Sequence, residues 1–337
     1  MLLVRPVALS DHPEILALAR QAGIGMTSLP PDAHVLDAKI ARSVASFAGK
    51  PEAQKEESFL FVLEDTDRKK LVGTCGIVAQ VGLTRPFYSY KLSTIVQAAD
   101  NLGVYSLQRV LHMVNDYTGA TEIGSLFLLP EYRRDGIGKF LSRCRYLMLA
   151  EFPDLFSEVV ISEIRGVQDE QGDSPFYKNL AQHFFLMDFK RADFINATQG
   201  GQFISDLMPK YPIYVNLLHP DAQAVIGVPL KASLPAKQLL EFEGFRHQGY
   251  IDVFDGGPTM QAERAQIRTV RESKHVHLIA IKSVSAKPAY MVANTVLGNF
   301  RMGCAALEEL DGGVAMNSEA ADFLKLKPGD TLRYSEI

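Results

Sequence analysis

Apolar and polar positions along this chain define one central stretch, residues 124–152. The short, mostly apolar run Ser125–Leu129 stops at Pro130, which lacks the N–H that a continuing strand needs, so we predict a buried strand there. After a turn with two glycines, apolar side chains recur at helical spacing and predict a helix over Lys139–Phe152. The pattern therefore predicts a strand, a glycine loop and a helix, in that order.

The same two periodicities predict the elements on either side of this stretch. Before it they predict a strand Leu2–Pro6, a helix Pro13–Ala22 ending at Gly23, a helix Asp32–Phe47, and a β-hairpin of Phe59–Glu64 with Leu71–Ile77. After it they predict a strand Val159–Ile164, a helix from Pro175 to Phe185, and a helix Ala236–Glu243 ahead of a further strand. Beyond Ile267 the runs shorten into strands. We therefore expect an α/β (α+β) protein with two domains, 1–266 and a small β-rich 267–337.

Composition excludes several classes of function. Of the 337 residues, 47% are hydrophobic and 22% are charged, and the formal net charge is -4, which is unlike a polybasic nucleic-acid binder. The three cysteines form no C-x-x-C motif, and His275 and His277 share a strand face without a third ligand, so no metal site is predicted. We expect no signal peptide, because Arg5 interrupts the first apolar run, and no uncharged apolar run reaches the ~18 residues that a membrane span needs. We expect a cytoplasmic protein.

The glycine loop has the features of an anion-binding site. Glycines before a helix let the backbone approach a ligand, and the free N–H groups and dipole of the helix start favour phosphate. The loop Arg133–Gly138 lacks the lysine of a P-loop and the third glycine of a dinucleotide-binding loop. Arg133-x-x-Gly136-x-Gly138 is instead similar to the segment with which GNAT acyltransferases hold the pyrophosphate of an acyl-coenzyme A. The alternative is a glycine-rich helix start that only packs against the strand.

Four acidic residues are candidates for binding a cationic substrate. Glu163 interrupts an apolar strand, where a buried carboxylate without a partner is costly. Asp116 lies in a predicted turn, and Asp169 and Glu170 lie in an acidic loop, residues 166–174. A solvated turn explains the last three residues at least as well as a binding site does. Both interpretations therefore stay open for them.

Several segments spread over most of the chain carry a more specific signal than the glycine loop does. They are Thr27–Pro30, Phe61–Asp65, Asn115–Gly119, Ser125–Leu128, Glu163–Glu170, Ser174–Phe176, His183–Phe185, Asp206–Tyr214 and Tyr250–Thr259. Together, and in this order, they resemble the arginine N-succinyltransferases, a family of the GNAT superfamily. The resemblance weakens beyond about Arg271.

The resemblance implies a GNAT-like fold, which is a mixed, mostly antiparallel sheet flanked by helices. It also implies that a succinyl group passes from succinyl-CoA, a cosubstrate and not a tightly bound cofactor, to the α-amino group of L-arginine in arginine catabolism. A homo-oligomer, or a heteromer with a paralogous subunit, is expected, with no nucleic-acid or membrane partner. The residues that would contact coenzyme A are Leu126, Phe127, Leu128, Arg133, Arg134, Gly136 and Gly138.

Two residues are candidates for catalytic roles, Tyr177 by resemblance and Glu163 by its place in an apolar strand. Tyr177 resembles the tyrosine that protonates the leaving thiolate in some GNAT enzymes, although packing is the favoured alternative for this side chain. Glu163 is the first choice for the guanidinium of arginine, ahead of Asp116, Asp169 and Glu170, because a planar cation is held best by fixed carboxylates.

One segment departs from the family pattern. The family carries a histidine, regarded as the proton donor, in an I-G-Q-V-H-P segment, whereas Ile226–Lys231 places Leu230 at that position. Three interpretations stay open. Another residue carries the proton, or the chain is a coenzyme A-binding but inactive or regulatory subunit, or it is an amine acetyltransferase with another substrate.

Overall fold

The computed structural model describes residues 1–22, 26–49 and 56–337. Gly23, predicted to end the first helix, lies outside them. The chain opens with β1 (Leu2–Pro6), α1 (His12–Ala22), α2 (Ala33–Phe47), β2 (Ser58–Asp65) and β3 (Lys70–Val78). Asp32 caps α2, because its carboxylate accepts from Val35 N at 3.0 Å. The predicted opening strand, two helices and hairpin are all confirmed to within two residues.

The central and C-terminal parts contain the remaining elements. A long hairpin precedes the predicted strand, loop and helix, in the order β4 (Ser89–Ala99), β5 (Val104–Val114), β6 (Thr121–Leu128), α3 (Ile137–Glu151) and β7 (Val159–Glu163). Short elements follow, namely α4 (Pro175–Lys178), α5 (Gln182–Phe185), α6 (Phe189–Gln199), α7 (Gln202–Leu207), β8 (Ile213–Tyr214), α8 (Pro220–Val225), α9 (Leu234–Phe242), β9 (Arg246–Asp252), β10 (Pro258–Glu263) and α10 (Arg268–Glu272). The last are β11 (Lys274–Ile281), β12 (Tyr290–Asn294), β13 (Met302–Ala305), β14 (Leu307–Leu310), β15 (Gly313–Met316), α11 (Ser318–Leu324) and β16 (Thr331–Glu336).

The strands form one continuous, mostly antiparallel order. Among the described residues it runs β14-β15-β11-β16-β12-β13-β1-β2-β3-β6-β7-β10-β9-β4-β5-β8. Only β6–β7 and β11–β15 pair in parallel. The β-rich C-terminal region joins the rest through β1 and β13, where Val4 is opposite Met302. The predicted fold class, a mostly antiparallel sheet flanked by helices with a β-rich C-terminal region, is confirmed.

Buried apolar side chains of the described residues form four clusters, the two largest of which include residues of α3 and of the short helices after β7. The first packs α1, α2 and α3 against β1, β2, β3 and β6, and its aromatic contacts include Phe47 with Phe59 and Phe61 at ring-centroid distances of 5.1 and 5.2 Å. The second packs the short helices after β7 around Phe176 and Tyr177. Burying each such large side chain contributes about 1.5–3 kcal/mol. No helix among the described residues is long and apolar enough to cross a bilayer.

The single helix predicted from Pro175 to Phe185 is wrong, because two four-residue helices, α4 and α5, occupy this segment. Asn179 separates them. Its side-chain amide donates to Pro175 O at 2.9 Å, and its backbone N–H also bonds that carbonyl at 3.3 Å. An asparagine side chain competes in this way with the helical backbone, so the chain turns at this position.

Candidate active site

Strands β6 and β7 lie side by side only at their first residues. Their register pairs Thr121 with Val160 and Glu122 with Ile161, and it ends there. Beyond that point β6 continues to pair with β3 and β7 continues to pair with β10. The two strands therefore part, and the space between their C-terminal halves is an opening in the sheet, called the β6–β7 opening below. Backbone groups that face such an opening are free to bind a ligand.

A β-bulge lies in β6 at the start of the opening. Ser125 has a φ of +51°, and the β3–β6 register skips Ser125 and Leu126. The backbone of Ser125 is held from both sides, because its N–H donates to Ser28 Oγ at 3.1 Å and its carbonyl accepts from Thr74 Oγ1 at 2.8 Å. A bulge re-aims the side chains and backbone of one strand. Here it turns the backbone at Leu126 away from the β3 ladder.

The loop Arg133–Gly138 follows β6 and begins α3, as predicted. Gly136 is the N-cap residue of α3 and has a φ of +75°, a left-handed conformation that glycine adopts without strain. A Cβ added at Gly138 would meet only Leu128 Cδ2, at 4.0 Å, so the space above the first helical turn is open. Helix geometry leaves the N–H groups of Gly138 and Lys139 without an intrahelical acceptor. The loop has the geometry of a phosphate cradle.

The two arginines of the loop differ in their placement. Arg133 Nε donates to Leu128 O at 2.9 Å, and its guanidinium lies 5.7 Å from the centre of the Phe127 ring. Arg134 points into solvent beside Asp135, with 3.7 Å between Nε and Oδ2. Arg133 is therefore fixed against the end of β6, whereas Arg134 is free to move. All seven residues predicted to contact coenzyme A lie along β6 or in the loop that follows it.

An acidic and polar face of the sheet, called the acidic face below, borders the β6–β7 opening. The strand register places Glu163 opposite Thr259 and Asp252 opposite Ser89, so these four side chains point to one face. Thr259 and Ser89 are fully buried, and among the described residues neither hydroxyl oxygen has a hydrogen-bond partner. Glu122, in the last β6–β7 pair, points to the same face. Buried hydroxyl groups without partners indicate room for a polar ligand.

Burial and mutual repulsion raise the pKa of these carboxyl groups. Burial and the neighbouring Asp252 raise the pKa of Glu163 well above its ordinary value. Burial and Asp255 raise the pKa of Asp252 to about 7, and burial raises the pKa of Glu122. Arg165 relieves this repulsion only in part: its charge lowers the pKa of Glu163 and Asp252, but its guanidinium contacts two other carboxylates. A bound cation would favour the ionised form of each acidic group.

Arg165 anchors the end of β7 through two aspartates. Its Nη1 and Nη2 atoms donate to Asp193 at 3.0 and 2.8 Å, and its Nε atom lies 3.2 Å from Asp255 Oδ2. The Nε–H is not aligned with that oxygen, so this last contact is an ion pair without a hydrogen bond. Asp193 and Asp255 are buried. One cation between two carboxylates still leaves negative charge beside the acidic face.

The structure brings together two of the four predicted acidic residues. Asp116 accepts a hydrogen bond from Tyr250 at 2.8 Å, and the charges of Asp116 and Glu163 both help raise the pKa of Tyr117. Asp169 lies in an exposed loop, and its carboxylate accepts from the N–H groups of Gln171 and Asp173, both at 2.9 Å. Glu170 is exposed in the same loop.

Tyr177 lies in the second hydrophobic core and is 1% exposed. Its hydroxyl group donates to Met187 O at 3.2 Å, and its ring packs against Phe189 and Phe254. Burial raises the pKa of the phenol. These contacts are those of a packing residue, the alternative that the sequence favoured for Tyr177.

Leu230 lies beside the end of β7. Its N–H donates to Arg165 O at 2.8 Å, and the preceding Pro229 bridges to Gly166. The segment around Leu230 therefore runs along the two residues that follow Ile164. The backbone at position 230 is therefore close to the C-terminal end of β7.

Sequence reasoning did not single out Glu122, Ser89 and Thr259 of the acidic face, or Lys39, whose ammonium donates to Ser125 Oγ in the bulge. Glu122 carries the signal that identified Glu163, a single carboxylate in an otherwise apolar strand. Ser89 and Thr259 carry none, because small hydroxyl residues are common in strands. Lys39 looks like an ordinary surface residue of an amphipathic helix.

Comparison with known proteins agrees with this geometry. A family model described as arginine N-succinyltransferase beta subunit matches residues 2–269, and one described as its C-terminal domain matches residues 272–336. The arginine N-succinyltransferase of Yersinia enterocolitica is 42% identical over 340 residues, covering 100% of this chain and 98% of that protein. An Escherichia coli protein of the same name is 40% identical over 338 residues, with the same coverage of both chains.

A solved structure covers the whole chain as well. It is subunit AI of the arginine/ornithine succinyltransferase from Pseudomonas aeruginosa, with a TM-score of 0.89 and 36% sequence identity. The match covers 100% of this chain and 98% of that one. Both family models are thus matched, together with 98% of the length of each relative. The chain belongs to the arginine N-succinyltransferase family.

Proposed function

We propose that this protein transfers a succinyl group from succinyl-CoA to the α-amino group of L-arginine. One observation supports the proposal most directly: the β6–β7 opening lies between a phosphate cradle and an acidic face. An acyl-CoA and a cationic amine are the two substrates that such a site would bring together. The relatives named above carry the same activity in their names.

The donor would lie along β6. The pyrophosphate of succinyl-CoA binds the free N–H groups of Gly138 and Lys139, where the α3 dipole favours negative charge. The rest of coenzyme A follows Leu128 and Phe127 back towards the bulge, and the thioester reaches Leu126. The Leu126 N–H, turned away from the β3 ladder, is then placed to donate to the thioester carbonyl as charge develops on its oxygen.

The acceptor would lie on the acidic face. The guanidinium of arginine binds Glu163 and Asp252, with the hydroxyl groups of Thr259 and Ser89 as further acceptors. Each carboxyl group is ionised when the cation arrives and gives up any proton it holds. The aromatic pair Tyr117 and Tyr250, at a centroid distance of 4.6 Å and with ring planes 51° apart, lies beside this face.

The reaction forms one bond and breaks another. The neutral α-amine attacks the thioester carbon, an N–C bond forms, the C–S bond breaks, and one proton passes from nitrogen to the departing sulfur. Glu122, at the closed end of the opening, is placed to accept the proton from nitrogen, because its raised pKa makes it a better base than an exposed carboxylate. Holding the amine in line with the thioester carbon contributes the larger share of the rate enhancement.

Replacing Glu163 with glutamine tests the acceptor site. Glu163→Gln removes the charge and keeps the shape, so we expect the KM for arginine to rise about 10- to 100-fold, the worth of a hydrogen bond to a charged group. The KM for succinyl-CoA should change by less than about twofold, because the loop that holds it is untouched. Steady-state kinetics with each substrate varied in turn measures both constants.

The pH dependence of arginine binding and a control variant add two further measurements to this test. In the wild type, arginine binding should improve as pH rises through the raised pKa of Glu163, because only the ionised carboxyl attracts the guanidinium. The glutamine variant should lose that part of the pH dependence. Asp169→Asn, in the exposed loop, tests the other predicted acidic site. An unchanged KM for arginine in Glu163→Gln would return Glu163 to a structural role.

A further inference from the structure

Lys39 is a lysine of α2 whose side chain points inward to the bulge of β6. Its ammonium donates to the carbonyl oxygen of Ser28 and to Ser125 Oγ, the latter at 3.3 Å. Burial lowers the pKa of Lys39 to about 8, so the group is still mostly protonated at neutral pH. A helix lysine normally extends into water, where its charge costs nothing. This one is held at the start of the β6–β7 opening.

Ser28 and Ser125 fix the ammonium at this place. Ser125 N–H donates to Ser28 Oγ, and Ser125 Oγ donates to Ser28 O, both at 3.1 Å. Each serine thus uses both its side chain and its backbone, and Lys39 completes the set. A hydroxyl and a carbonyl are neutral partners, so they satisfy two N–H donors of the ammonium and leave its charge unbalanced.

The charges near Lys39 lie beyond contact distance. Among the described residues, no carboxylate oxygen approaches its ammonium within the 4.0 Å of an ion pair. Glu122 favours the protonated form of Lys39 from farther away, and Arg42 disfavours it. A partly desolvated cation without a contacting anion is costly, and an anionic ligand relieves that cost.

We propose that Lys39 binds the distal carboxylate of the succinyl group and so selects succinyl-CoA over acetyl-CoA. The inference rests on the proposed function in one respect, namely that the acyl group enters the β6–β7 opening. With the phosphates at the loop after β6 and the thioester at Leu126, the acyl chain continues along the strand towards Ser125. The ammonium of Lys39 lies on that side of the thioester, where it contacts Ser125 Oγ.

The succinyl group carries an anionic group that could contact the Lys39 ammonium. Its second carboxylate is separated from the thioester carbon by two methylene groups, and it is the only charge that distinguishes this donor from acetyl-CoA at the acyl end. The acidic face cannot bind that carboxylate, since Glu122, Glu163 and Asp252 would repel it. Charge therefore separates the two substrates. The succinyl carboxylate would bind on the side of α2, at Lys39, and the guanidinium of arginine would bind on the side of β7, β9 and β10, at the acidic face.

Binding of three donors to Lys39→Met tests the proposal without any turnover. Methionine keeps the length and apolar stem of lysine and removes the charge. We expect the Kd for succinyl-CoA to rise about 10- to 100-fold, as for loss of a hydrogen bond to a charged group, so that it approaches the Kd for acetyl-CoA. The Kd values for coenzyme A and acetyl-CoA should change by less than about twofold. Isothermal titration calorimetry on the full chain measures all three.

Two further variants serve as controls. Lys39→Arg keeps a cation and should retain most of the preference for succinyl-CoA. Arg42→Met removes an exposed cation three residues along the same helix and should leave that preference unchanged. If Lys39→Met weakens all three donors equally and Lys39→Arg does the same, Lys39 only holds the Ser28 loop and the proposal is overturned.

The result also separates this inference from the proposed function. An unchanged preference for succinyl-CoA in Lys39→Met overturns the role of Lys39 even if the wild type succinylates arginine. A preference that the wild type shows and Lys39→Met loses supports the role of Lys39 even if arginine proves to be the wrong acceptor. Because no amine is present in the titration, the two outcomes do not depend on each other.

Discussion

Leu230 shows how much a single residue can matter at this site. The hydrogen bond from its N–H to Arg165 O holds the backbone at this position beside the C-terminal end of β7. Leucine supplies apolar surface and no proton. A histidine would supply a group that titrates near neutral pH, and general acid–base catalysis by such a group contributes about 10²–10⁴-fold to a rate.

We therefore expect Leu230→His to raise kcat for succinyl transfer to arginine by about 10²-fold or more. The KM for succinyl-CoA should stay within about twofold, because the glycine loop is unchanged. The variant should also gain a limb in its pH–rate profile near the ordinary histidine pKa of about 6.5. Val228→His, at an exposed position two residues away, is the matched control. A wild type that is already fast, and a variant that is no faster, would mean that another group carries the proton.

Individual residues differ in how far the sequence could identify them. Glu163 could be found because a carboxylate in an apolar strand has to be explained by a partner. The loop Arg133–Gly138 could be found because its glycines stand at a fixed distance from a strand and a helix. Lys39 could not be found, since its importance depends on Ser125, which is 86 residues away. The packing of Tyr177 likewise depends on a distant residue, Phe254, whereas Asp169 accepts hydrogen bonds from its own loop.

At the scale of elements, the strand, loop and helix around Gly136 followed from local pattern. The helix begins at Ile137, two residues earlier than predicted, because Gly138 is a helical residue of the first turn. The parting of β6 and β7 could not be predicted from local pattern alone. It depends on which strand each one pairs with, β3 on one side and β10 on the other, and both pairings join segments distant in sequence. Local periodicity carries no information about such pairs.

The cradle can be tested at Gly138, and Gly138→Val is the suitable change. Gly136 is unsuitable, because any side chain at its φ of +75° is strained whether or not a ligand binds. At Gly138 the added atoms meet little protein, so we expect the variant to fold with a Tm close to that of the wild type. Its two methyl groups fill the space for phosphate, and the Kd for coenzyme A should rise at least about 10-fold, or about 1.4 kcal/mol.

A graded series makes the result decisive. Gly138→Ala adds one methyl group and should weaken coenzyme A binding less than Gly138→Val does. Equal coenzyme A affinity in the wild type and in a folded Gly138→Val protein would mean that the phosphates bind elsewhere.

At the scale of the whole molecule, the C-terminal region is tied to the rest by more than the chain. Arg143 of α3 donates to Glu336 O at 2.7 Å and to Ser335 Oγ at 3.1 Å, and it is 4% exposed. Arg333 of β16 donates to Glu151 at 2.7 Å. The boundary predicted at 266/267 remains a prediction about folding units. The contacts of Arg143 and Arg333 cross that boundary, so removing the C-terminal region tests whether residues before it fold alone.

We expect a chain truncated after Ser273 to be unable to fold stably. Loss of residues 274–337 would expose the edge of β1, where Val4 pairs with Met302, and it would remove two of the hydrogen bonds of Arg143, which keeps its contacts with Thr269 and Glu243. Each lost hydrogen bond to a charged group costs about 1.5–3 kcal/mol, and an open strand edge promotes aggregation. Thermal unfolding and coenzyme A binding would both be measured.

Ser335→Ala in the full chain removes one acceptor of Arg143 alone and should lower the Tm only slightly. A truncated chain that melts cooperatively near the full-length Tm and still binds coenzyme A would show that residues 1–273 fold by themselves.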